Sequence, residues 1–323
     1  MEIRNFNIIN FVDKLIFKNG NLLIYCFVFA CISSRLDPNF FFIDILSNLS
    51  FQILLGGLFL IIILLFLKRI IAVFVTFVIC LFYAFLIFSE CHSCKQITKD
   101  IEDETRNIKI MTFNISYNND VKNFESIKNL IETEKIEILL FQEVSPFMKD
   151  KIKKLVTSFP YGSDLNNPLD LFDTIILSKH PLNKIENKSY HILKADLKIN
   201  NNLISIFGIH LRPGGNKRDY DYALSQISYL EKIISNTNSR FIISGDLNMT
   251  PYSKRFSKFV KKNKLKTYFS FINKKSTWPS FLPNFLGIQI DHFIFDDGIK
   301  LADINIGESL GSDHRPLIAK IIF

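Results

Sequence analysis

The chain has 323 residues and a formal net charge of +8, long for one domain and ordinary for two parts. It holds no internal repeat and no low-complexity tract, and it is uneven. Residues 1–99 carry long apolar runs with 8 Lys/Arg and 5 Asp/Glu, whereas residues 100–323 carry 31 and 26. The later part is long enough to bury a good core. Its mild basicity suits an anionic partner, nucleic acid or acidic lipid headgroups, but equally serves solubility and identifies none of them.

In chain order, a first, weaker apolar segment spans about residues 22–36. It reads either as a spanning helix or as an interfacial one. Residues 49–67 and 70–88 are each 19 residues without a charge, close to the roughly 20 that cross about 30 Å of hydrocarbon. Only Lys68 and Arg69 separate them, which predicts a tight helical hairpin. Residues 1–94 therefore read as a membrane anchor of two to three transmembrane helices, retained rather than cleaved as a signal peptide. The Lys68-Arg69 loop should stay cytoplasmic, with Arg4, Lys14 and Lys18 agreeing if the first segment spans. That orientation puts the rest of the chain on the extracytoplasmic side of a cell membrane. All five cysteines precede residue 95. Cys91-His92-Ser93-Cys94 reads as a disulfide-bonded or incidental C-x-x-C, because no second cysteine pair lies nearby to complete a structural zinc site. Residues 95–106 read as a polar linker.

From residue 107, short apolar runs alternate with amphipathic stretches. Strands are predicted near 108–113, 138–141, 174–177, 203–209, 241–244, 290–295 and 317–322. Helical spacing marks Phe124, Ile127, Leu130 and Ile131, and again Leu224, Ile227, Leu230, Ile233 and Ile234. Many strands with few helices point to an α/β four-layer sandwich, two packed mixed sheets flanked by helices. Lys254, Lys258, Lys261 and Lys262 recur at helical spacing against Phe256, Phe259 and Val260. That stretch reads either as a solvated basic face or as one for a nucleic-acid backbone or acidic bilayer.

Polar residues interrupt the apolar runs where strands end. Asn114, Gln142-Glu143, His210, Asp246 with Asn248, Asp291-His292 and Asp313-His314 all occupy such positions, which are rigid supports for a site. Hard cations such as Mg²⁺ take carboxylate and carbonyl oxygens, which Glu143 and Asp313 can supply. His314 can transfer a proton near neutral pH, with Asp291 the candidate that orients its ring. Each of these residues alone has a commonplace structural reading; the ordered set across some two hundred residues does not.

The segments Thr112-Phe113-Asn114, Phe141-Gln142-Glu143-Val144, Ser178-Lys179-His180-Pro181, Gly208-Ile209-His210-Leu211, Ser244-Gly245-Asp246-Leu247-Asn248, Ile290-Asp291-His292 and Gly311-Ser312-Asp313-His314-Arg315-Pro316 resemble the endonuclease/exonuclease/phosphatase superfamily. Thr277-Trp278-Pro279 and the N-terminal spans resemble a membrane-anchored bacterial branch of it. The resemblance covers residues 107–323 and implies a metal-dependent phosphoric ester hydrolase that uses Mg²⁺, with Mn²⁺ as an alternative. It implies Glu143 as main metal ligand, helped by Asn114 and Asp313, with Asp246 and Asn248 positioning or activating the attacking water. It further implies that His314, oriented by Asp291, transfers a proton or stabilises the transition state. His210 would contact the phosphate and assist the leaving group, partnered by a carboxylate for which Asp173 is the candidate. Arg212, in the basic loop after His210, is expected near the substrate. Ser116 stands where abasic-site enzymes carry an acidic residue, which weakens that reading. The expected activity is a nuclease-like phosphodiesterase working by in-line attack of water. The alternatives are a phospholipid or sphingomyelin-type headgroup phosphodiesterase, or a phosphomonoesterase. The partners implied are a phosphodiester substrate and the lipid bilayer; no protein partner is inferred.

Overall fold

Strand β1 (Asn107–Asn114) lies at the centre of a sheet because Ile108 and Ile110 face one apolar layer while Met111 and Phe113 face another. A computed structural model describes residues 8–38, 40–90, 107–117, 124–167, 173–199, 202–268 and 275–322. They divide into two units, one made of the N-terminal helices with residues 252–254, the other of the remaining residues from 107 onward.

In the second unit β1 is joined through helix α5 (Phe124–Thr133) to a parallel neighbour, β2 (Ile138–Gln142). Phe124, Ile127 and Ile131 recur at helical spacing and are buried against that sheet. Helix α6 (Pro146–Ile152) follows, started by Pro146 and capped by Ser145, whose hydroxyl accepts from Met148 N at 3.2 Å. With β3 (Tyr161–Gly162), β4 (Ile175–Ser178), β11 (Lys300–Ile306) and β12 (Leu317–Ile322), the first sheet has the order β11-β12-β1-β2-β4-β3.

The second sheet repeats the plan with β5 (Leu182–Lys188), β6 (Ile192–Ile199), β7 (Asn202–His210), β8 (Arg240–Asp246), β9 (Lys266–Thr267) and β10 (Asp291–Phe295), in the order β5-β6-β7-β8-β10-β9. Its parallel pair, β7 and β8, is linked by helix α7 (Lys217–Ser235), capped by the Asn216 side chain, which accepts from Asp219 N at 3.0 Å. Helix α8 (Lys254–Lys262) covers the same outer face with Phe256, Phe259 and Val260.

Ile110, Leu140 and Ile176 from one sheet meet Leu197, Ile206 and Phe293 from the other, so the main core lies between the sheets. Each fully buried side chain of this size contributes about 1.5–3 kcal/mol. The result is the expected α/β sandwich of two mixed sheets flanked by helices. The hairpin β5–β6 and strand β11 were outside the predicted strands. Of the basic residues on α8, Lys262 is held by Glu231 at 2.6 Å.

In the first unit, α1 (Ile8–Ser33), α2 (Phe41–Asn48), α3 (Ser50–Phe66) and α4 (Ile70–Glu90) follow one another. By length and composition, Ile70–Ser89 is long and apolar enough to cross a membrane. The stretch expected at 49–67 is instead a 17-residue helix preceded by α2, and the two reach that length only together, bent by 63°. The apolar part of α1, Asn21–Ser33, is shorter than a span. Lys68, at φ 55°, breaks the chain between α3 and α4 where the turn was expected. Cys91, Cys94 and the 95–106 linker lie outside the described residues.

Candidate active site

Pairing register brings the polar residues together. In the second sheet His210 pairs with Asp246 across β7–β8, and Asp246 with Asp291 across β8–β10, so three ionisable residues form one row at the sheet end. In the first sheet Asn114 pairs with Gln142, and Glu143 is the next residue, held in the left-handed region at φ 55°. Strand β12 runs antiparallel to β1, so Asp313 and His314 enter at the rim where β1 ends.

Two tight turns fix this rim. Gly245, at φ 139°, sits so close to the Ile209 carbonyl oxygen that no side chain fits there. Asp246 Oδ1 accepts from Asn248 N at 2.8 Å, and Asn248 Nδ2 donates to Leu211 O at 2.8 Å. The Asn248 amide thus ties the turn after β8 to the loop after β7. On the opposite side Ser312 Oγ donates to Asn114 O at 2.8 Å and accepts from His314 N at 3.0 Å, fastening the Asp313-His314 segment to β1.

His314 is the pivot. Its Nδ1 donates to Asp291 Oδ2 at 2.9 Å, and its Nε2 lies 3.7 Å from Asp246 Oδ2. Burial opposes charge on this imidazole. The charge of Asp291, their hydrogen bond and then the charge of Asp246 outweigh it, raising the pKa to about 10. Asp291 is also buried, but His314 holds its carboxyl below the usual range. Asp246 is raised to about 7, first by burial and then by the like charge of Asp291. His210 Nε2 faces the same carboxylate at 3.8 Å and Glu143 Oε1 at 3.5 Å.

The remaining expected residues surround this row. Asn114 turns its amide N–H groups toward Glu143 Oε1 at 2.9 Å and Asp246 Oδ2 at 3.1 Å, while its Oδ1 accepts from Ser116 N at 2.9 Å. In this arrangement it orients two carboxylates. Asp313 Oδ2 accepts from Trp278 Nε1 at 3.0 Å. Arg212 stacks over the Tyr222 ring at 5.3 Å and approaches Asp219 at 3.7 Å. Asp173 bonds His191 Nδ1 at 3.0 Å, where the sequence had suggested His210 as its partner.

Ser312 and Thr277 stood in the matching segments without a role, and Gln226 escaped the sequence reading. Ser312 fastens the site strand as described. Thr277 Oγ1 accepts from Ile290 N and Asp291 N at 3.1 and 3.2 Å and so sets the start of β10. Gln226, fully buried in α7, accepts from Arg212 N and donates to His210 O. His292, by contrast, belongs to the packing. It contacts the Phe256 ring, donates from Nε2 to Met249 O at 2.8 Å, and is lowered by burial to about 4.

The donor set fits a hard divalent cation. Among the described residues Asp246, Asp291 and His314 offer ligand atoms within 4.8 Å of one another. A charged imidazole has no lone pair for a metal, so His314 suits proton work. The oxygens of Glu143, Asp246 and Asp313 then remain as the hard donors.

The sequence matches the Endonuclease/Exonuclease/phosphatase family over residues 111–314. The chain belongs to this family, and it is a phosphoric ester hydrolase of the divalent-metal-dependent kind. Solved structures share its fold. A humanized D. rerio TDP2 carrying 14 mutations is 13% identical over 67% of this chain and 99% of its own, with a TM-score of 0.53. D. rerio TDP2 complexed with a single strand DNA product is 12% identical over 67% and 99%, at 0.51. A mannosyl-6-phosphatase of Bacteroides thetaiotaomicron is 14% identical over 67% and 100%, at 0.51. No curated protein matches the sequence.

Proposed function

We propose that this chain is a membrane-anchored, Mg²⁺-dependent phosphodiesterase of nuclease-like specificity. The observation that carries the reading is His314, fixed by Asp291 on one nitrogen and facing Asp246 with the other. Glu143, with Asp313, would hold the metal, and Asn114 would align Glu143 and Asp246. A bound Mg²⁺ supplies charge neutralisation at the non-bridging phosphoryl oxygens. Asp246 and Asn248 position the attacking water. Asp246, raised to about 7, can take its proton near neutral pH. His314, kept protonated by Asp291, places positive charge where the transition state gains negative charge. His210 and Arg212 would meet the phosphate. A phosphodiester in a nucleic-acid strand agrees with the basic composition and with the DNA-bound relative of the same fold.

Residues 1–94 serve as the anchor, 95–106 as linker and 107–323 as catalytic domain, held on the extracytoplasmic side of the cell membrane. Helix Ile70–Ser89 and the Lys68-Arg69 break support that assignment. External protease added to sealed spheroplasts should remove the catalytic domain, and its survival beside a cleaved external control would reverse the orientation.

One observation favours a second reading, a lipid headgroup phosphodiesterase. Phe281, Phe285 and Leu286 are exposed on a loop whose Ser280 N donates to Asp313 O at 2.7 Å. Supercoiled plasmid and sphingomyelin, each offered to the detergent-solubilised full chain with Mg²⁺ or EDTA, separate the two. Metal-dependent nicking lost in His314→Ala supports the nuclease. Choline phosphate release without nicking supports the lipid reading.

A further inference from the structure

The segment leading into β10 is built inside out. The fifteen residues from Ser276 to Ile290 carry no charge, in a chain where 22% of residues are Asp, Glu, Lys or Arg. Within that run the polar side chains of Ser276, Thr277, Ser280 and Gln289 are buried. The large apolar ones are not: Phe281 is 78% exposed, Phe285 60% and Leu286 42%. Single exposed apolar residues are ordinary on a protein surface, but several on one short loop mark a face that meets another apolar phase.

Hydrogen bonds hold the loop in this form against the catalytic rim. Ser280 N donates to Asp313 O at 2.7 Å and Ser280 Oγ to Ser312 O at 2.6 Å. Ser276 Oγ donates to Asn284 O at 2.5 Å. Arg315, next to His314, donates to Ser280 O at 2.7 Å and to Leu282 O at 2.9 Å, and it also bonds the Asn284 side chain. The tip meets much of its own backbone demand. Leu282 N donates to Pro279 O, Leu286 N and Gly287 N donate to Pro283 O, and the two prolines have no N–H to satisfy. Folding Phe281 back onto the domain would break this network, so the ring stays out.

Charge separates the two phases such a loop could meet, stacked nucleobases or lipid. Sites for single-stranded nucleic acid combine aromatic platforms with cations that follow the phosphates. Ser276–Ile290 supplies no cation, and Arg315 is turned onto the loop's own carbonyls. An uncharged loop with aromatic side chains outward and its turns internally bonded matches the interfacial layer of a bilayer instead. We propose that the Trp278–Leu286 loop lies in that layer and holds the catalytic rim at the membrane surface, a contact separate from the helical anchor. It rests on the membrane-anchored reading and holds for either class of substrate. Because the loop is uncharged, the contact needs no anionic lipid.

Trp278 is the only tryptophan of the chain, so its fluorescence reads the contact directly. Full-length protein is reconstituted into phosphatidylcholine vesicles, with or without phosphatidylcholine brominated on its acyl chains. Bromolipid should quench wild-type emission. Phe281→Ser should weaken the partition of the loop about tenfold and lose most of the quenching, with an unmoved melting midpoint. Phe281→Leu stays apolar and should stay quenched. Wild-type emission that bromolipid leaves untouched, or equal quenching in folded Phe281→Ser, overturns the contact. Should Phe281→Ser fail to fold, the wild-type response decides alone. Quenching of Trp278 by oligothymidylate in detergent micelles, with no response to bromolipid, assigns the loop to nucleobases and overturns the contact as well. Retention of the chain in vesicles through an alkaline carbonate wash tests the anchor separately. A retained chain without quenching sinks the loop contact and keeps the anchor. A chain quenched on the vesicles but released by carbonate does the reverse.

Discussion

The spacing between the two histidines and the central carboxylate depends on one glycine. Gly245 pairs with Ile209 in the parallel β7–β8 register, one step before His210 meets Asp246. Its φ of 139° lies where L side chains are rare, and an added Cβ would overlap the Ile209 carbonyl oxygen and lie 3.0 Å from its carbon. Gly245→Ala therefore meets backbone strain of about 1–3 kcal/mol and a steric clash that only a parting of the two strands relieves. Taking about 3 kcal/mol for both, and about 2–4 °C per kcal/mol for a domain of this size, the melting midpoint should fall by roughly 6–12 °C. Turnover should fall further than stability alone explains, because a displacement approaching 1 Å between catalytic groups costs up to about a hundredfold. Thermal unfolding of the full chain in detergent, beside initial rates measured well below the midpoint, reads both quantities. A variant with a midpoint within about 2 °C of wild type and undiminished turnover would refute the claim that this crossover sets the gap between His210 and Asp246.

Three further outcomes follow from the site. His292, lowered by burial to about 4, binds fewer protons folded than unfolded between that value and 6.5. Its contribution is intact above pH 6.5 and lost as pH falls toward 4, on the order of 3 kcal/mol in all. Denaturant midpoints should therefore fall less steeply with acid in His292→Gln than in wild type, and parallel curves would remove His292 as the cause. Chelation should abolish turnover, Mg²⁺ or Mn²⁺ should restore it, and Glu143→Ala should raise the metal concentration needed by at least about tenfold; an unaltered metal dependence takes Glu143 out of the ligand set. Trp278→Phe keeps the ring and removes the indole N–H that holds Asp313. It should lower kcat about three- to tenfold, the value of one ordinary, partly exposed hydrogen bond, with the melting midpoint unmoved, and wild-type kcat would show that Asp313 needs no such partner.

Much of the site was legible because chemistry and packing disagree where strands end. A buried strand is apolar until it reaches the rim, so Asn114, Glu143, His210 and Asp246 stand out as breaks in apolar runs. The hairpin β5–β6 gave no comparable signal. β5 is an edge strand that mixes Asn183 and Glu186 with Leu182 and Ile185, and its pairing shifts register between Asn183 and Glu186. A broken period of two hides a strand from pattern reading. Gln226 did leave a trace. Tyr220, Ala223, Ile227, Leu230 and Ile234 form the buried stripe of α7, and an amide beside that stripe is a polar group that must find partners. Which partners, the sequence could not say, since they come from turns sixteen and thirty-six positions away. The Asp173–His191 pair escaped for the same reason, being formed between separate sheets with no local spacing to betray it.

Adjacent residues in a fully buried strand pose the sharpest case. Asp291 and His292 begin β10, both wholly buried, and composition ranks the histidine as readily as the aspartate for a role in the site. Successive side chains on a strand point to opposite faces, so only one of the two can reach the catalytic row. The pairing with β8 selects Asp291, opposite Asp246, and sends His292 toward Phe256 of α8. A shift of that register by one residue would exchange them, setting an imidazole in place of the carboxylate against His314 and burying a carboxylate in an apolar layer. The cost of that buried charge, together with the Thr277 hydroxyl that receives both Ile290 N and Asp291 N, holds the register in place and keeps His314 protonated.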